Sequence, residues 1–187
     1  RAANIEDFLE DTIYQIVYSF KSQASVICLI DENANTAEPK KLVLAAHHGL
    51  TPNLADLFNL LSEKDALIGS VFNNNSPLVI PSSTINSQLQ DFILEEGFKS
   101  MVLVPISIQN QILGIIGLAR NENPGFDEDE IARLDVVADE IATFVHSDKQ
   151  RQLSIALAER QRLVRDLHDS TTQKLYGLLT LTEAAQA

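Results

Sequence analysis

The sequence predicts an α+β fold, with helices and antiparallel strands in the first part of the chain and one long C-terminal helix. Residues 4–20 repeat apolar side chains at the spacing of an amphipathic helix. Residues 100–108 and 111–120 are apolar, β-rich and separated by two residues, which predicts an antiparallel pair near the centre of a sheet. No proline follows residue 127, so we expect an unbroken helix of about 59 residues, roughly 88 Å long.

Local signals predict the shorter elements. Residues 24–30 and 41–47 are apolar and β-rich, and their pairing as a hairpin is a hypothesis. Thr51-Pro52 joins a preferred N-cap to a preferred first helical residue, and this helix is expected to reach residue 61. The other predicted elements are helices over 65–72 and 86–96 and a strand over 77–80.

Two patterns predict how these elements begin and pack. Asp127 and Glu130 have the spacing of a capping box at the start of the long helix. Gly114 and Gly117 lie inside a predicted strand, where a missing side chain predicts close approach of a helix or a ligand.

Composition limits the classes of function. The net charge of −12 argues against nucleic acid and against anionic membrane surfaces. The single cysteine, Cys28, excludes an internal disulfide and any CxxC metal or redox site, and it fits a cytoplasmic protein. We expect no signal peptide and no transmembrane segment. The chain opens within a helical pattern, so a piece of a longer protein is expected.

Charge also predicts the domain organisation. Residues 148–187 hold six Lys/Arg and five Asp/Glu, a net +1, which leaves −13 on residues 1–147. This change predicts a globular domain over 1–147 and a separate helical region over 148–187.

A heptad pattern in the second region predicts pairing with another chain. Seven of its ten positions are apolar, which favours a parallel dimeric coiled coil or bundle. The polar stretch 146–152 interrupts this pattern and could permit a change of register or a rotation. The ten positions are Leu153, Leu157, Arg160, Val164, Leu167, Thr171, Lys174, Leu178, Leu181 and Ala185.

The candidate chemistry lies at His168, Asp169 and Gln173. Imidazole accepts a phosphoryl group well, because one ring nitrogen can attack while a hydrogen bond holds the other. An adjacent carboxylate can fix the tautomer and take the proton. Gln173 follows Asp169 by four positions and so shares its helical face. The alternative is that His168 is an ordinary exposed histidine in a charged helix.

Residues 1 to about 147 resemble a GAF domain. The resemblance is carried, in order, by LVLAAHHGL (42–50), ALIGSVFNNNSPLVIP (66–81), GFKSMVLVPISIQNQILGIIGLAR (97–120) and GFDEDEIARLDVVADEIA (125–142). It implies a central antiparallel sheet with the N- and C-terminal helices on one face. It also implies short helices and loops on the other face, which often enclose a small ligand.

Residues 159–187 resemble the start of the dimerisation and histidine-phosphotransfer region of sensor histidine kinases that partner NarL-type response regulators. The match is RLVRDLHD (162–169), then Gln173 and Leu175. It implies a homodimer with His168 as phosphoacceptor, Asp169 as its acid–base partner and Gln173 orienting a water that dephosphorylates the regulator. ATP and Mg²⁺ are implied for a catalytic domain that this sequence lacks, so the fragment is not expected to be active alone.

Several alternatives stay open at this stage. A GAF ligand would contact Ser82, Ser83, Thr84 and Asn86, but its identity is unknown and the domain could equally bind nothing. No cysteine occurs in 82–90, which disfavours a covalent bilin. Adjacent strand residues point to opposite faces, so His47 and His48 do not predict a metal site. A non-enzymatic GAF dimerisation module with a coiled-coil output helix is the main competing function, and an HD-type phosphohydrolase is a weaker third.

Overall fold

The computed structural model of the protein describes residues 4–31, 39–81, 95–122 and 125–184, and in the last range it describes side chains to His168 and at Thr171. The predicted α+β fold is confirmed. The elements are α1 (Ile5–Phe20), β1 (Ala24–Ile30), β2 (Leu42–His48), α2 (Pro52–Phe58), α3 (Ala66–Asn74), β3 (Leu78–Pro81), β4 (Ser100–Ile108), β5 (Gln111–Arg120) and α4 (Glu128–Ala184). The predicted helix over 86–96 falls mostly outside the described residues.

The five strands form one antiparallel sheet in the order β2-β1-β5-β4-β3. The predicted hairpin of β1 and β2 is confirmed, with Val26 opposite His47. β4 and β5 are joined by Gln109 and Asn110, whose φ angles of 50° and 64° suit the left-handed conformation of a two-residue hairpin turn. The two strands are therefore neighbours near the centre of the sheet, as predicted.

Each face of the sheet is covered by helices. On one face, α1 and the first part of α4 bury apolar side chains that include Leu9, Ile13, Leu134 and Ile141. On the other face, α2 and α3 contribute a second cluster of buried side chains. The placement of the first and last helices on one face agrees with the GAF resemblance.

Side-chain caps start three helices. Thr51 Oγ1 accepts a hydrogen bond from Leu54 N at 3.4 Å, as predicted for α2, and Asp65 caps α3. At α4, Asp127 N donates to Glu130 Oε2 at 3.1 Å and Glu130 N donates to Asp127 Oδ1 at 2.7 Å. The predicted capping box is therefore confirmed.

α2 is shorter than predicted, because it ends at Phe58 and not at Leu61. The carbonyl of Leu61 accepts a hydrogen bond from Leu42 N at 3.0 Å, and Asn59 Oδ1 accepts one from Leu44 N at 3.0 Å. Residues 59–61 therefore form hydrogen bonds with the edge strand β2, and they do not continue the helix. They also cover backbone donors that an edge strand would otherwise leave unpaired.

The nearest neighbour of Gly114 and Gly117 is a strand and not the predicted helix. A Cβ atom at Gly114 would lie 2.1 Å from the carbonyl oxygen of Cys28, on the neighbouring strand. One at Gly117 would lie 2.8 Å from a methyl group of Val26, on that same strand. The missing side chains therefore make room for close strand packing.

Arg120 connects β5 to both helices on its face. Its guanidinium donates to Glu130 Oε1 at 2.6 Å and to Oε2 at 3.0 Å, and it also donates to the carbonyl of Phe20 at the end of α1. It lies 4.2 Å from the centre of the Phe126 ring, a distance at which a cation and an aromatic face attract each other.

The chain divides into two compact units, Arg1–His146 and Ser147–Ala187. α4 contributes residues to both units. Within the described ranges, no helix combines the length and the hydrophobicity needed to cross a membrane.

Candidate functional site

The second unit is helical because its sequence favours helix throughout. Residues 148–176 contain no glycine or proline and are rich in Ala, Leu, Glu, Gln, Lys and Arg, the residues with the best helix propensities. Same-helix pairs add support: Arg162 donates to Glu159 Oε1 at 3.0 Å, and Asp148 accepts hydrogen bonds from Arg151 and Gln152.

The predicted heptad positions leave apolar side chains in solvent within this single chain. We call Leu153, Leu157, Val164 and Leu167 the seam. Their exposed fractions are 50%, 58%, 59% and 68%. Apolar side chains that recur at this spacing and remain exposed are typical of a surface that a second helix covers.

His168 follows the last seam residue, Leu167, and its side chain is exposed. Asp169 and Gln173 lie in the same helix, so helical geometry gives them a common face one turn apart. Their side chains lie outside the described residues. The structure thus places all three predicted site residues on α4, next to the seam, with the histidine accessible.

Two of the arginines that precede His168 on the helix, Arg162 and Arg165, differ in their partners. Arg162 pairs with Glu159 on the same helix. Arg165 is exposed, and its Nε donates to the main-chain carbonyl of Gln161 at 3.3 Å. Both arginines were visible in the sequence, but spacing alone did not distinguish them, because either could pair with a carboxylate one turn away.

The sheet face beneath α2 and α3 is the layer where the GAF resemblance implies a ligand. One cavity on this face has a volume of about 20 Å³ and is lined mainly by apolar side chains such as Leu54, Phe58 and Met101. A pocket for a small organic ligand requires roughly 300 Å³ or more. This cavity is therefore too small by itself to hold such a ligand. The predicted pocket residues Ser82, Ser83, Thr84 and Asn86 lie outside the described ranges.

Other reactive side chains of the first unit have described surroundings. Cys28 is fully buried in β1, and burial raises the pKa of its thiol, so it is not a poised nucleophile. The His48 ring packs edge-on against Tyr14, with centroids 5.8 Å apart. Among the described residues, no three His, Cys, Asp or Glu side chains are grouped to bind a metal ion.

Comparison with known proteins identifies the family. The sequence model of the GAF domain matches residues 2–146. The chain belongs to the GAF domain family. The match covers the sheet and the helices on both of its faces, so the first unit is the GAF domain.

The GAF domain and the helix after it align together with one curated protein. The chain is 26% identical, over an alignment of 192 residues, to the sensor histidine kinase YhcY of Bacillus subtilis (strain 168). The alignment covers 98% of this chain and 49% of that kinase. This chain therefore spans about half the length of the curated relative that it matches.

Solved structures agree on the fold of the GAF domain. A GAF domain/HD domain protein from Geobacter sulfurreducens is 18% identical, with a TM-score of 0.65 over 78% of this chain and 95% of that one. A domain assigned to a two-component sensor histidine kinase protein from Sinorhizobium meliloti 1021 is 16% identical, with a TM-score of 0.62 over 78% and 93% of the two chains. At these identities the likeness concerns the fold alone.

Proposed function

We propose that this chain is the sensory and phosphoacceptor portion of a cytoplasmic two-component sensor histidine kinase. In this proposal the GAF domain controls ATP-dependent phosphorylation of His168. The phosphoryl group then passes to a NarL-type response regulator. ATP and Mg²⁺ act on a catalytic domain outside this sequence.

The observation that carries the proposal is an exposed histidine followed by a carboxylate, on a helix that continues from a GAF domain. The alignment with the Bacillus kinase supports it. That alignment leaves only about 2% of the chain unmatched, roughly four of 187 residues, and so it includes His168. A GAF domain that binds its ligand without a kinase would not require the similarity to extend along this helix.

The helix contributes to this reaction mainly by positioning the side chains that take part in it. An imidazole nitrogen of His168 attacks the γ-phosphorus of ATP, the bond from phosphorus to the bridging oxygen breaks, and ADP leaves with the electron pair. Asp169 is assigned the proton from the other ring nitrogen. Phosphoryl transfer of this kind depends on alignment and on charge stabilisation. In the reverse role, Gln173 orients a water that hydrolyses the phosphoryl group of the regulator.

Dimerisation is assigned to the seam, which would bury Leu157, Val164 and Leu167 against a second copy. His168 lies beside the seam and would stay accessible. The polar stretch 146–152 lies between the buried α4 residues of the GAF domain and the seam. A signal would act by rotating or loosening the helix there, which favours one of two packings of the dimer.

The competing function is a non-enzymatic GAF module that dimerises through the same seam and docks an effector. The exposed seam favours this function as much as it favours a kinase. The two differ in their chemistry, since only the kinase requires a phosphohistidine.

The proposal predicts that His168→Ala abolishes labelling of the chain by ATP when a catalytic domain of the same kinase subfamily is supplied. His146→Ala is the matched control, because His146 belongs to the same helix but has no adjacent carboxylate, and it should label like the unaltered chain. The measurement is acid-labile, base-stable phosphate on each variant. Undiminished labelling of His168→Ala contradicts the proposal, and stable dimers without any label favour the non-enzymatic module.

A further inference from the structure

We propose that Arg165 is a positioning residue that holds the phosphoryl group during transfer to His168, an inference that rests on the proposed function. Arg165 comes three positions before His168 and four before Asp169 in α4. Residues at these separations are neighbours on one helical face. Side chains of a helix lean toward its N-terminus, so the imidazole leans over the turn that carries Arg165.

The described contacts of Arg165 differ from those of two other arginines on the helix. Its Nε donates to a neutral main-chain carbonyl, that of Gln161. By contrast, Arg162 is paired with Glu159, and Arg151 is paired with Asp148. Over the part of the chain that the structure describes, Arg165 forms no ion pair with a carboxylate; the side chain of Asp169 lies outside that part.

Geometry separates Arg165 from the neighbouring arginine. At 100° per residue, six positions place Arg162 about 120° around the helix from His168, whereas three positions place Arg165 about 60° away. Arg165 also lies outside the heptad positions of the seam, so dimerisation would leave it exposed. Arg162 is thus a matched control: the same side chain, on the same helix, one turn away and on another face.

The chemical reason is charge complementarity. A phosphoryl group on imidazole brings close to two negative charges and three acceptor oxygens. A guanidinium presents several donors to such oxygens and always carries its charge. At an exposed site one such pair changes a rate or an equilibrium by about two- to fivefold.

Phosphoramidate tests this on the chain itself, without a catalytic domain. An imidazole nitrogen attacks phosphorus, the phosphorus–nitrogen bond of phosphoramidate breaks, and ammonia leaves with the electron pair and a proton. We expect Arg165→Gln to slow labelling of His168 by about two- to fivefold, Arg165→Glu to slow it further, and Arg165→Lys to retain most of the rate. Arg162→Gln should label like the unaltered chain.

Two readouts separate positioning from a general effect on the helix. Labelling of His146, which has no arginine within the preceding turn, should not change in any variant. The difference between Arg165→Gln and the unaltered chain should shrink as salt screens the charge. Equal His168 labelling in Arg165→Gln and the unaltered chain overturns the inference, as does an unaltered chain whose His168 takes no label. The proposed function is decided separately, by ATP labelling of His168→Ala.

Discussion

At the residue scale, Arg120 and Glu130 form an ion pair between β5 and α4 in the GAF domain. The hydrogen bond from Arg120 lowers the pKa of Glu130, against a smaller opposing effect of burial. A lowered pKa in the folded state stabilises the fold above the pKa of the unfolded state. That stabilisation is lost as the pH falls through the pKa of the folded state.

We therefore predict that acidification below the ordinary glutamate pKa lowers the free energy of unfolding less in Glu130→Gln than in the unaltered chain. At neutral pH the substitution should cost about 1 kcal/mol, because a charge-assisted hydrogen bond becomes a neutral one. Denaturant unfolding as a function of pH measures both effects. Glu128→Gln, an exposed neighbour in the same turn, is the control and should follow the unaltered chain. Identical pH profiles for Glu130→Gln and the unaltered chain would contradict the assignment.

The sequence predicts the role of a residue where neighbouring residues of the right types form a recognisable motif. His168 and Asp169 stand out by residue type and order. The role of Arg120 was not predictable, because one partner lies at the end of α1, 100 residues earlier in the chain, and the other lies at the start of α4, 10 residues later. Only folding brings Phe20 and Glu130 to one guanidinium.

At the element scale, strand and helix positions followed closely from apolar periodicity. β4, β5 and α1 have long, regular patterns, and their bounds agree with the prediction to within one residue. Two interpretations failed for a common reason. The end of α2 and the environment of Gly114 are set by strands that are distant in sequence, through Leu42 and Cys28. Local pattern does not contain that information.

The seam gives the element-scale prediction. Leu157→Asp should weaken dimerisation by tenfold or more, because burying a leucine contributes roughly 1.5–3 kcal/mol and an aspartate in its place also loses hydration. Sedimentation equilibrium measures the dissociation constant.

Ile155→Asp is the matched control for this experiment. Ile155 is 63% exposed on the same helix but lies outside the heptad positions. The dissociation constant of the Ile155→Asp dimer should therefore lie within about twofold of that of the unaltered chain. Equal weakening by both substitutions would mean that the seam is not the interface.

At the scale of the whole molecule, the two regions inferred from charge are expected to differ in how they fold. The buried side chains on both sheet faces come from residues 9–142, so the GAF domain has a complete core of its own. The apolar side chains of the second region are exposed, so within one chain they form no such core. The predicted domain boundary at residue 147 therefore has a thermodynamic consequence.

A chain that ends at Ser147 should unfold in one cooperative transition, with a free energy of unfolding within about 1 kcal/mol of the full chain's GAF transition. It should also lose the self-association that the seam provides. Calorimetry and sedimentation measure these two properties. A truncated chain without a cooperative transition would show that the first region needs the second in order to fold.

Sequence was most informative at this largest scale, where charge, the lack of proline after residue 127 and the order of the GAF-like stretches all point to one organisation. The presence or absence of a GAF ligand was not predictable. It depends on the volume that side chains leave on one face of the sheet, and such volumes are not encoded in any local pattern.

The central claim is that His168 accepts a phosphoryl group. Its most direct test is to phosphorylate the chain with ATP and a catalytic domain, digest it at neutral pH, and locate the phosphate by electron-transfer fragmentation. We expect phosphate on His168 in the peptide that contains Asp166 to Lys174, and no phosphate on His47, His48 or His146. Phosphate on another residue, or none on His168 while a known substrate of that catalytic domain is labelled in parallel, would contradict it.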